Sequence, residues 1–246
     1  MKKPKLAVID GDIIVYKTAF WAETHDPLDI DKKVAREMKE WVPKGCDDYV
    51  VALSCSRKDN FRKKEWGKYK SNRDGMYTPE YLGDVRDYIN EEYEIKTLPN
   101  LEADDILGIY ASAGDGIAVT IDKDLRGVPG WHFNPNKEKK PVKISKKEAY
   151  RFFCKQWMMG DSTDCIPGLW KIGPKKADKL LDEWERKEWE ANIMELYQSD
   201  KHKPRNDNGL EYPEIAIAMA RCVQILSKDN YDTNTNEIKL WSPKDG

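Results

Sequence analysis

The stretch "KLAVIDGD", residues 5–12, decides how the chain begins to fold. Its apolar run, Leu6 to Ile9, has the length and composition of a short buried strand. The run ends in Asp10 and Asp12, with one glycine between them. The sequence therefore predicts a strand that carries carboxylates at its carboxyl end, although Asp-Gly-Asp by itself is also a common turn.

Further segments extend this pattern along the chain. Strands are predicted at 49–54, 92–98 and 116–124, and helices at 12–22, 31–42, 60–73, 79–90 and 102–113. Strands that alternate with helices indicate an α/β domain with a mostly parallel sheet. Ligands of such sheets bind beyond the carboxyl ends of the strands, so Asp10, Asp122 and Asp124 are expected at one edge. After about residue 144 the pattern becomes mostly helical.

Two more acidic clusters join these strand ends. "LEADD", residues 101–105, opens a helix, where acidic residues also cap N–H groups and complement the helix dipole; Asp105 is the strongest candidate for that ordinary role. Crowded carboxylates repel one another unless cations bind between them, and oxygen ligands suit Mg²⁺ or Mn²⁺. The candidate metal ligands are Asp10, Glu102, Asp104, Asp105, Asp122, Asp124, Asp161 and Asp164. Two such ions about 4 Å apart clamp a scissile phosphate.

The composition narrows the class of protein. The chain has 246 residues, 39% of them apolar, and nine Trp and twelve Tyr that can anchor a core. No run of about 18 apolar residues occurs, and the N-terminal apolar run is too short for a secretory signal, so we expect a cytoplasmic protein without a membrane partner. Five scattered Cys, without a Cys-x-x-Cys pair, and three His disfavour zinc.

The net charge of -2 conceals basic segments. Residues 57–73 contain eight basic and two acidic side chains, 137–147 contain six Lys and one Glu, and 171–179 contain four Lys and one Asp. Such patches on a mildly acidic protein suggest a polyanion bound at chosen places, while solvated helix faces are the alternative.

The first basic segment, "NFRKKEWGKYKSNRDG" (60–75), interleaves aromatic with basic residues. Arg62, Trp66, Tyr69 and Arg73 are three or four residues apart and would share one helical face. Basic side chains bind phosphates and aromatic rings stack on bases, so this face is a candidate nucleic-acid surface through Arg62 and Tyr69. An amphipathic helix with its aromatic rings in the core is the alternative.

The stretch "IPGLWKIGPKKADKLL" (166–181) has two glycine turns before a lysine-rich helix. Pro174 suits the first position of that helix. Backbone N–H groups at such a turn, with lysines behind them, bind DNA phosphates without reading sequence. The candidate contacts are Gly168, Lys171, Gly173, Lys175 and Lys176. A simple hairpin of two helices is the alternative.

Five stretches together resemble the flap endonuclease / 5′-nuclease family, especially its bacterial and bacteriophage 5′→3′ exonucleases. They are "VIDGDIIVYKTAF", "NFRKKEWGKYKSNR", "LEADDILG", "VTIDKDL" and "FFCKQWMMGDSTDCIPGLWKIGPKKADKLL", in the family's order over residues 7–181. The resemblance implies a PIN-like, mostly parallel α/β sheet flanked by helices. It places the catalytic domain at 1–144, with a helical arch at about 57–90, and a helical helix-3-turn-helix DNA-binding region with the tail at 145–246.

The resemblance also implies roles for individual residues. The eight carboxylates match the family's metal ligands, including its Glu-x-Asp-Asp, Asp-x-Asp and Gly-Asp-x-x-Asp patterns. Lys70 and Arg73 resemble residues at the arch base that contact the scissile phosphate, and Lys17 stands where a basic residue lies near the cleaved nucleotide. In related proteins the turn at 168–173 binds K⁺ through backbone oxygens.

One position departs from the family pattern. The second strand usually ends in an Asp ligand, but "VALSC" places Ser54 there. An uncharged hydroxyl ligates directly or through water, and we expect weaker metal binding or a changed geometry rather than lost activity.

The resulting hypothesis is a 5′→3′ exonuclease or flap endonuclease that uses two Mg²⁺ or Mn²⁺ ions. Its expected partners are DNA with 5′ ends or flaps, or an RNA–DNA hybrid, and the expected state is a monomer in the cytoplasm of a bacterium or of a phage-infected host cell. Two alternatives stay open. One is a catalytically weakened duplex-DNA-binding module of the same fold, and the other is a PIN-type ribonuclease, against which the hairpin at 161–181 argues.

Overall fold

The computed structural model describes residues 3–205 and 208–243. The chain forms two compact units, each assembled from separate stretches. The first comprises Met1–Asn60, Tyr77–Lys146 and Ile225–Ile238, and the second comprises Phe61–Met76, Lys147–Gln224 and Lys239–Gly246.

The helices and strands follow one another in chain order. They are β1 (Leu6–Asp10), α1 (Gly11–Ala22), α2 (Ile30–Trp41), β2 (Asp48–Ala52), α3 (Arg62–Glu65), α4 (Leu82–Glu92), β3 (Ile95–Lys96), α5 (Ala103–Ala113), β4 (Ile117–Val119), β5 (Gly130–Phe133), β6 (Val142–Ile144), α6 (Lys146–Met159), β7 (Gly160–Asp161), β8 (Ile166–Pro167), α7 (Pro174–Glu183), α8 (Trp189–Gln198), α9 (Glu214–Val223), β9 (Tyr231–Asp232) and β10 (Glu237–Ile238). Within the described residues, no helix is both long and apolar enough to cross a membrane.

A six-stranded sheet organises the first unit, in the order β3-β2-β1-β4-β5-β6. Strands β1 to β5 pair in parallel, and β6 pairs with β5 in the antiparallel direction. The α/β class with a mostly parallel sheet is therefore confirmed. The chain leaves β1 towards β2 on one side, while β4 lies on the other side of β1, so the strand order reverses between β1 and β4.

Both faces of this sheet are covered, which explains the uninterrupted apolar run in β1. Ala7 and Ile9 pack in a cluster with side chains of α1, α2 and α4, whereas Val8 packs in a separate cluster with side chains of α5. Successive residues of a strand point to opposite faces, so a strand buried on both faces has no polar position to alternate.

Gly11 allows α1 to begin directly at the end of β1. A Cβ at this position would lie 2.5 Å from Cγ1 of Val51 and 2.7 Å from the carbonyl oxygen of Ala52 on the neighbouring strand. Real Cβ contacts are not that short, so the glycine of Asp-Gly-Asp is required by close packing of the helix start on β2. Asp10 then serves as the N-cap of α1, with its carboxylate accepting from Ile13 N.

The second unit is built around aromatic side chains. Trp157 of α6 is fully buried, donates from Nε1 to the Ala216 carbonyl at 2.8 Å and accepts at its own carbonyl from the Tyr197 hydroxyl at 2.6 Å. These bonds tie α6 to α8 and α9. Pro174 occupies the start of α7, as the sequence predicts.

One predicted helix is wrong, and two strands lie where the sequence predicted none. The helix expected over 60–73 is only α3, Arg62–Glu65, followed by a turn in which Lys70 has a left-handed φ of 53°. Strands β5 and β6 were not predicted, because β5 is the short segment Gly130–Phe133 and β6 lies inside a lysine-rich segment without a marked apolar run.

Candidate active site

The carboxyl ends of β1 and β4 lie side by side at the point where the strand order reverses. Asp10 is the last residue of β1, and Thr120 and Asp122 follow directly after β4. Ligands of open α/β sheets bind at such a switch point, because the chain leaves the two neighbouring strands in opposite directions. The fold thus brings the predicted first and fourth strand ends together.

Asp10 is the buried centre of this edge, with 3% of its surface exposed. Its carboxylate accepts from the Thr120 hydroxyl at 2.8 Å and from Ile13 N at 3.3 Å. Burial, followed by the negative charges of Asp12 and Asp122, raises the pKa of Asp10 to about 7, although these two hydrogen bonds act in the opposite direction. A carboxylate with its charge penalised in this way favours a proton or a cation nearby.

Asp12 belongs to this edge but was absent from the predicted ligands. Of the neighbouring charges, Asp12 contributes most to the raised pKa of Asp10. The Arg86 guanidinium of α4 lies 3.4 Å from Asp12 Oδ1 through Nη1, and its Nη2 donates to the Ser54 carbonyl at 2.7 Å. The second Asp of "DGD" was the available signal for Asp12, whereas nothing in the sequence pattern of α4 singled out Arg86.

Ser54 has a structural task where the family pattern has a carboxylate. Its hydroxyl accepts from Ala103 N, the first residue of α5, at 2.9 Å, and its own N–H donates to Asp12 Oδ1 at 3.3 Å. The side chain thereby satisfies one of the N–H groups left open at the start of a helix. The start of α5 is fixed to the end of β2 through this bond.

The three acidic residues of "LEADD" differ in how deeply they are buried. Glu102 is the N-cap residue of α5 and Asp104 lies in the first turn, both half-buried. Asp105 is fully buried, and its two carboxylate oxygens accept from Glu102 N at 3.1 Å and from Leu226 N at 3.0 Å. Asp105 thus fixes the helix start and the segment around Leu226.

An electrostatic link connects this trio to Asp12. Cys55 follows Ser54, and the pKa of its thiol is raised to about 11 by burial first, then by Glu102 and by further acidic groups that include Asp105 and Asp12. Carboxylates from the end of β1 and from the start of α5 therefore share one neighbourhood in the first unit.

The pair after β4 forms a compact turn. Asp124 N donates to Asp122 Oδ1 at 2.8 Å, and Asp122 N donates to the Thr120 hydroxyl at 3.1 Å. Asp122 is exposed and Asp124 half-buried. Thr120 therefore links Asp10 to this turn.

Lys17, on α1, forms an ion pair with Glu37 at 2.7 Å. Glu37 is 1% exposed and also pairs with Lys33 at 2.6 Å. Burial acts to raise the pKa of Glu37, but the two lysines outweigh it and lower that pKa. The Lys17 side chain remains 46% exposed.

In the second unit, Asp164 contacts Lys70 and Arg73, the two residues predicted to bind the scissile phosphate. Its Oδ1 accepts from Arg73 Nη2 at 2.8 Å, while its Oδ2 accepts from the Tyr69 hydroxyl at 3.2 Å and lies 3.5 Å from Lys70 Nζ. Asp161 lies at the end of β7 and accepts from Thr163 N at 2.7 Å. Lys70, Arg73 and Asp164, which the sequence separates by about 90 positions, are therefore neighbours.

Arg62 and Tyr69 are not presented on an exposed face. They are 2% exposed each, and the Arg62 guanidinium donates to the carbonyls of Cys222, at 3.1 Å, and Gln224, at 2.6 Å. Trp66 is also buried and donates to the Cys165 carbonyl at 2.8 Å. The shared helical face was the wrong interpretation, because these side chains pack inside the second unit, and their positions do not support the predicted DNA contacts.

The glycine turn at 168–173 directly precedes α7, and the lysines of the turn and of the first helical turn are exposed. A Cβ at Gly168 would lie 1.9 Å from the Met159 carbonyl oxygen, so this position accepts only glycine, whereas Gly173 faces open space. Lys171 has a left-handed φ of 61°. The side chains of Lys171, Lys175 and Lys176 are exposed.

The carboxylates fit a hard cation in the kind of donor they offer. Across residues 3–205 and 208–243, no group of three His, Cys, Asp or Glu side chains is drawn together tightly enough to hold a metal ion. The donors at the β1–β4 edge are all oxygens, and Asp10 is buried beside like charges that a cation would neutralise. The chemistry of the donors therefore suits Mg²⁺ or Mn²⁺ better than softer metals.

Comparisons with known proteins identify similar sequences and similar folds. No family model matches the chain. The 5′-3′ exonuclease of Buchnera aphidicola subsp. Acyrthosiphon pisum is 32% identical over 209 residues, covering 78% of this chain and 67% of that protein. The 5′-3′ exonuclease of Buchnera aphidicola subsp. Schizaphis graminum is 29% identical over 222 residues, covering 80% and 75%. The chain spans only 26% of the DNA polymerase I of Caldicellulosiruptor bescii, at 28% identity.

Solved structures agree in fold. The bacteriophage T5 protein co-crystallised with metal ions superposes with a TM-score of 0.59 at 16% identity, over 89% of this chain and 85% of that one. A pseudo-enzyme–product complex of the T5 flap endonuclease with DNA and metal ions gives a TM-score of 0.53 at 16% identity, over 89% and 87%. These structures share the fold, and the 32% identity to the Buchnera 5′-3′ exonuclease shows that the chain belongs to the 5′-3′ exonuclease family.

Proposed function

We propose that this protein hydrolyses phosphodiester bonds at the 5′ ends or flaps of duplex DNA, with divalent metal ions as cofactors. The observation that carries the proposal is the buried Asp10 at the β1–β4 switch point, whose pKa is raised by burial and by Asp12 and Asp122. A protein that buries one carboxylate beside two others gains stability when a cation binds there and neutralises their repulsion. Family membership and the metal ions and DNA in the T5 structures support the same proposal.

In the first unit, the metal would be held by carboxylates of the β1–β4 edge and the start of α5. These are Asp10, Asp122, Asp124, Glu102 and Asp104, with Asp12 added from the structure. When bound, a divalent cation supplies a lowered pKa for an attacking water and positive charge for the phosphate oxygens. Asp105 contributes by holding the start of α5, since both of its oxygens accept from backbone N–H groups.

Arg86 and Thr120 position the acidic side chains of this edge. Arg86 fixes Asp12 against the Ser54 carbonyl, and Thr120 donates to Asp10 while accepting from Asp122 N. Side chains held in this way keep their geometry when the ligand arrives, which lowers the cost of organising the site.

In the second unit, Lys70 and Arg73 would bind the substrate phosphate. Arg73 donates from Nη2 to Asp164 at 2.8 Å, and a guanidinium is suited by its planar fork of donors to phosphate oxygens. Asp161 and Asp164 are proposed ligands for a second ion, and the turn at 168–173 with Lys175 and Lys176 is the proposed duplex contact and K⁺ site.

A cleavage assay tests the proposal. A 5′-labelled duplex and a 5′-flap substrate would be incubated with Mg²⁺, with Mn²⁺ and with EDTA, using wild type, Asp122→Asn and Lys70→Ala. We expect 5′ products only with metal, and a rate at least about 100-fold lower for Asp122→Asn. Asp115→Asn, an exposed Asp of the same unit, is the matched control. No cleavage with either metal, or a full rate for Asp122→Asn, would sink the proposal.

One observation favours the weakened DNA-binding module as a second candidate. Ser54 caps α5 and brings no charge to the edge, so the carboxylate expected at the end of β2 is missing. This candidate predicts salt-sensitive duplex binding without metal-dependent turnover. Rates on single-stranded RNA, an RNA–DNA hybrid and duplex DNA measured in the same series would identify a PIN-type ribonuclease instead.

A further inference from the structure

A loop at residues 199–205 is fastened to the glycine turn of the second unit. Trp170 N donates to the His202 carbonyl at 2.7 Å, and His202 Nδ1 lies 3.0 Å from the Trp170 carbonyl oxygen. His202 is 8% exposed, and its Nε2 lies 3.4 Å from Lys176 Nζ on α7. The buried imidazole of this loop therefore contacts both the turn and Lys176 of α7.

Arg205 stacks on the tryptophan of the turn. Its guanidinium carbon lies 3.4 Å from the centre of the Trp170 ring, and Trp170 is 37% exposed. A guanidinium stacked on an aromatic face keeps its N–H donors in the plane of the group, directed away from the ring, where they suit phosphate oxygens. Arg205 also occupies the place above the ring that a stacked base would take, which favours contact with a sugar–phosphate backbone over contact with bases.

The loop and the turn, with the first part of α7, carry a net positive charge. Residues 168–179 and 199–205 together contain seven basic and two acidic side chains. Both acidic residues are paired, Asp178 with Lys155 at 2.6 Å and Asp200 with Lys203 at 2.8 Å. The net field of this surface is therefore positive, as binding of a polyanion requires.

We propose that the loop 199–205 forms a second wall of the duplex-binding surface, in which Arg205, held on Trp170, contacts the phosphate backbone beside the contacts of the glycine turn. The partner is the backbone of duplex DNA, recognised without sequence preference. The inference rests on the proposed function for its partner, but it concerns residues that the family motifs do not include.

Binding is measured by fluorescence anisotropy with a labelled blunt duplex in EDTA, over a series of salt concentrations. The variants are Arg205→Ala, Arg205→Lys, Trp170→Ala, Trp170→Phe and the double variant Arg205→Ala/Trp170→Ala. Arg186→Ala is the matched control, since Arg186 also stacks on an aromatic ring, that of Tyr150, beyond the other end of α7. Circular dichroism confirms that each variant folds, and Trp170→Phe keeps a ring if Trp170→Ala does not fold.

We expect Arg205→Ala to weaken duplex binding roughly tenfold and to reduce the salt slope by about one. Trp170→Ala should give a similar loss, and the double variant should be no weaker than the worse single variant, because the two side chains act as one unit. Arg205→Lys should recover part of the affinity, and Arg186→Ala should bind like wild type.

Two outcomes would overturn the inference: wild-type affinity and salt slope for Arg205→Ala, or additive losses in the double variant. Lys175→Ala/Lys176→Ala separates this failure from failure of the proposed function. If those substitutions weaken duplex binding and Arg205→Ala does not, only the loop proposal fails. If neither set weakens it, the duplex-binding part of the proposed function fails as well.

Discussion

Replacing Asp10 by Asn should stabilise the metal-free protein, and the gain should grow with pH. In the folded protein the pKa of Asp10 is raised from 3.8 to about 7, first by burial and then by Asp12 and Asp122. Between these two pH values the unfolded chain has lost the proton that the folded chain keeps. The free energy of unfolding of wild type therefore falls as pH rises from 3.8 to about 7 and is constant above.

The size of the effect follows from the same two values. Each pH unit across this interval corresponds to about 1.4 kcal/mol, so the ionised Asp10 costs roughly 4 kcal/mol above pH 7. Asn removes the charge and can hold both contacts: its oxygen can accept from Ile13 N, and its amide can donate to the Thr120 hydroxyl, which in wild type donates to Asp10. Near pH 5 the gain should be smaller, about 1 to 2 kcal/mol.

The measurement is urea denaturation in EDTA at four pH values between 4.5 and about 8, followed by circular dichroism. Asp12→Asn should produce a smaller gain, because it removes only the largest of the neighbouring charges that raise the pKa of Asp10. Asp115→Asn, at the surface of the first unit, controls for the Asp-to-Asn change itself.

Two results would refute the reasoning. If Asp10→Asn is less stable than wild type at pH 8, the carboxylate is not penalised by its surroundings. If the gain is the same at every pH, it does not come from ionisation. Adding Mg²⁺ should stabilise wild type more than Asp10→Asn, because only wild type offers the charged ligand.

Three further predictions concern stability. Ser54→Ala should lower the free energy of unfolding by about 1 to 2 kcal/mol in urea, because Ala103 N loses its acceptor. Gly168→Ala should cost about 3 kcal/mol or more, since its Cβ meets the Met159 carbonyl, while Gly173→Ala costs less than about 1 kcal/mol; equal losses would contradict the packing argument. Burial lowers the pKa of His132 from 6.5 to about 4, so wild type should lose about 3 kcal/mol relative to His132→Gln as pH falls across that range in urea titrations; a constant difference would contradict this.

The strands of the sheet could be predicted from the sequence where burial on both faces requires an uninterrupted apolar run. Residues 6–10 and 48–52 carry such runs, and the observed strands agree with them to within a residue or two. The segments at 130–133 and 142–144 were missed because they are short and one is flanked by lysines, so local sequence carries little of the information that pairs them. Their antiparallel pairing depends on contacts that only the folded sheet supplies.

The segment 60–73 shows how tertiary contacts override a local pattern. Its spacing of aromatic and basic residues is helical, yet the chain leaves the helix after Glu65. Trp66 and Tyr69 each gain a buried environment and a hydrogen-bonded partner, Cys165 and Asp164, about 95 to 100 residues away along the chain. No periodicity within the segment encodes such partners, so the sequence offered a buried Tyr69 only as the alternative and gave no signal for the burial of Arg62.

The contacts of Ser54 give a structural reason for the missing carboxylate at this position. Without Asp there, the obvious expectation is a weaker cation site, with the other acidic residues compensating. In the structure, the Ser54 hydroxyl instead caps the start of α5. Arg86 forms an ion pair with Asp12 and donates to the Ser54 carbonyl. An Asp at 54 would meet a guanidinium already paired with Asp12, and it would add a further negative charge beside Glu102, Asp104 and Asp105 at the start of α5. Ser54 and Arg86 are therefore best understood together: one removes a negative charge from the end of β2, and the other adds a positive charge beside it.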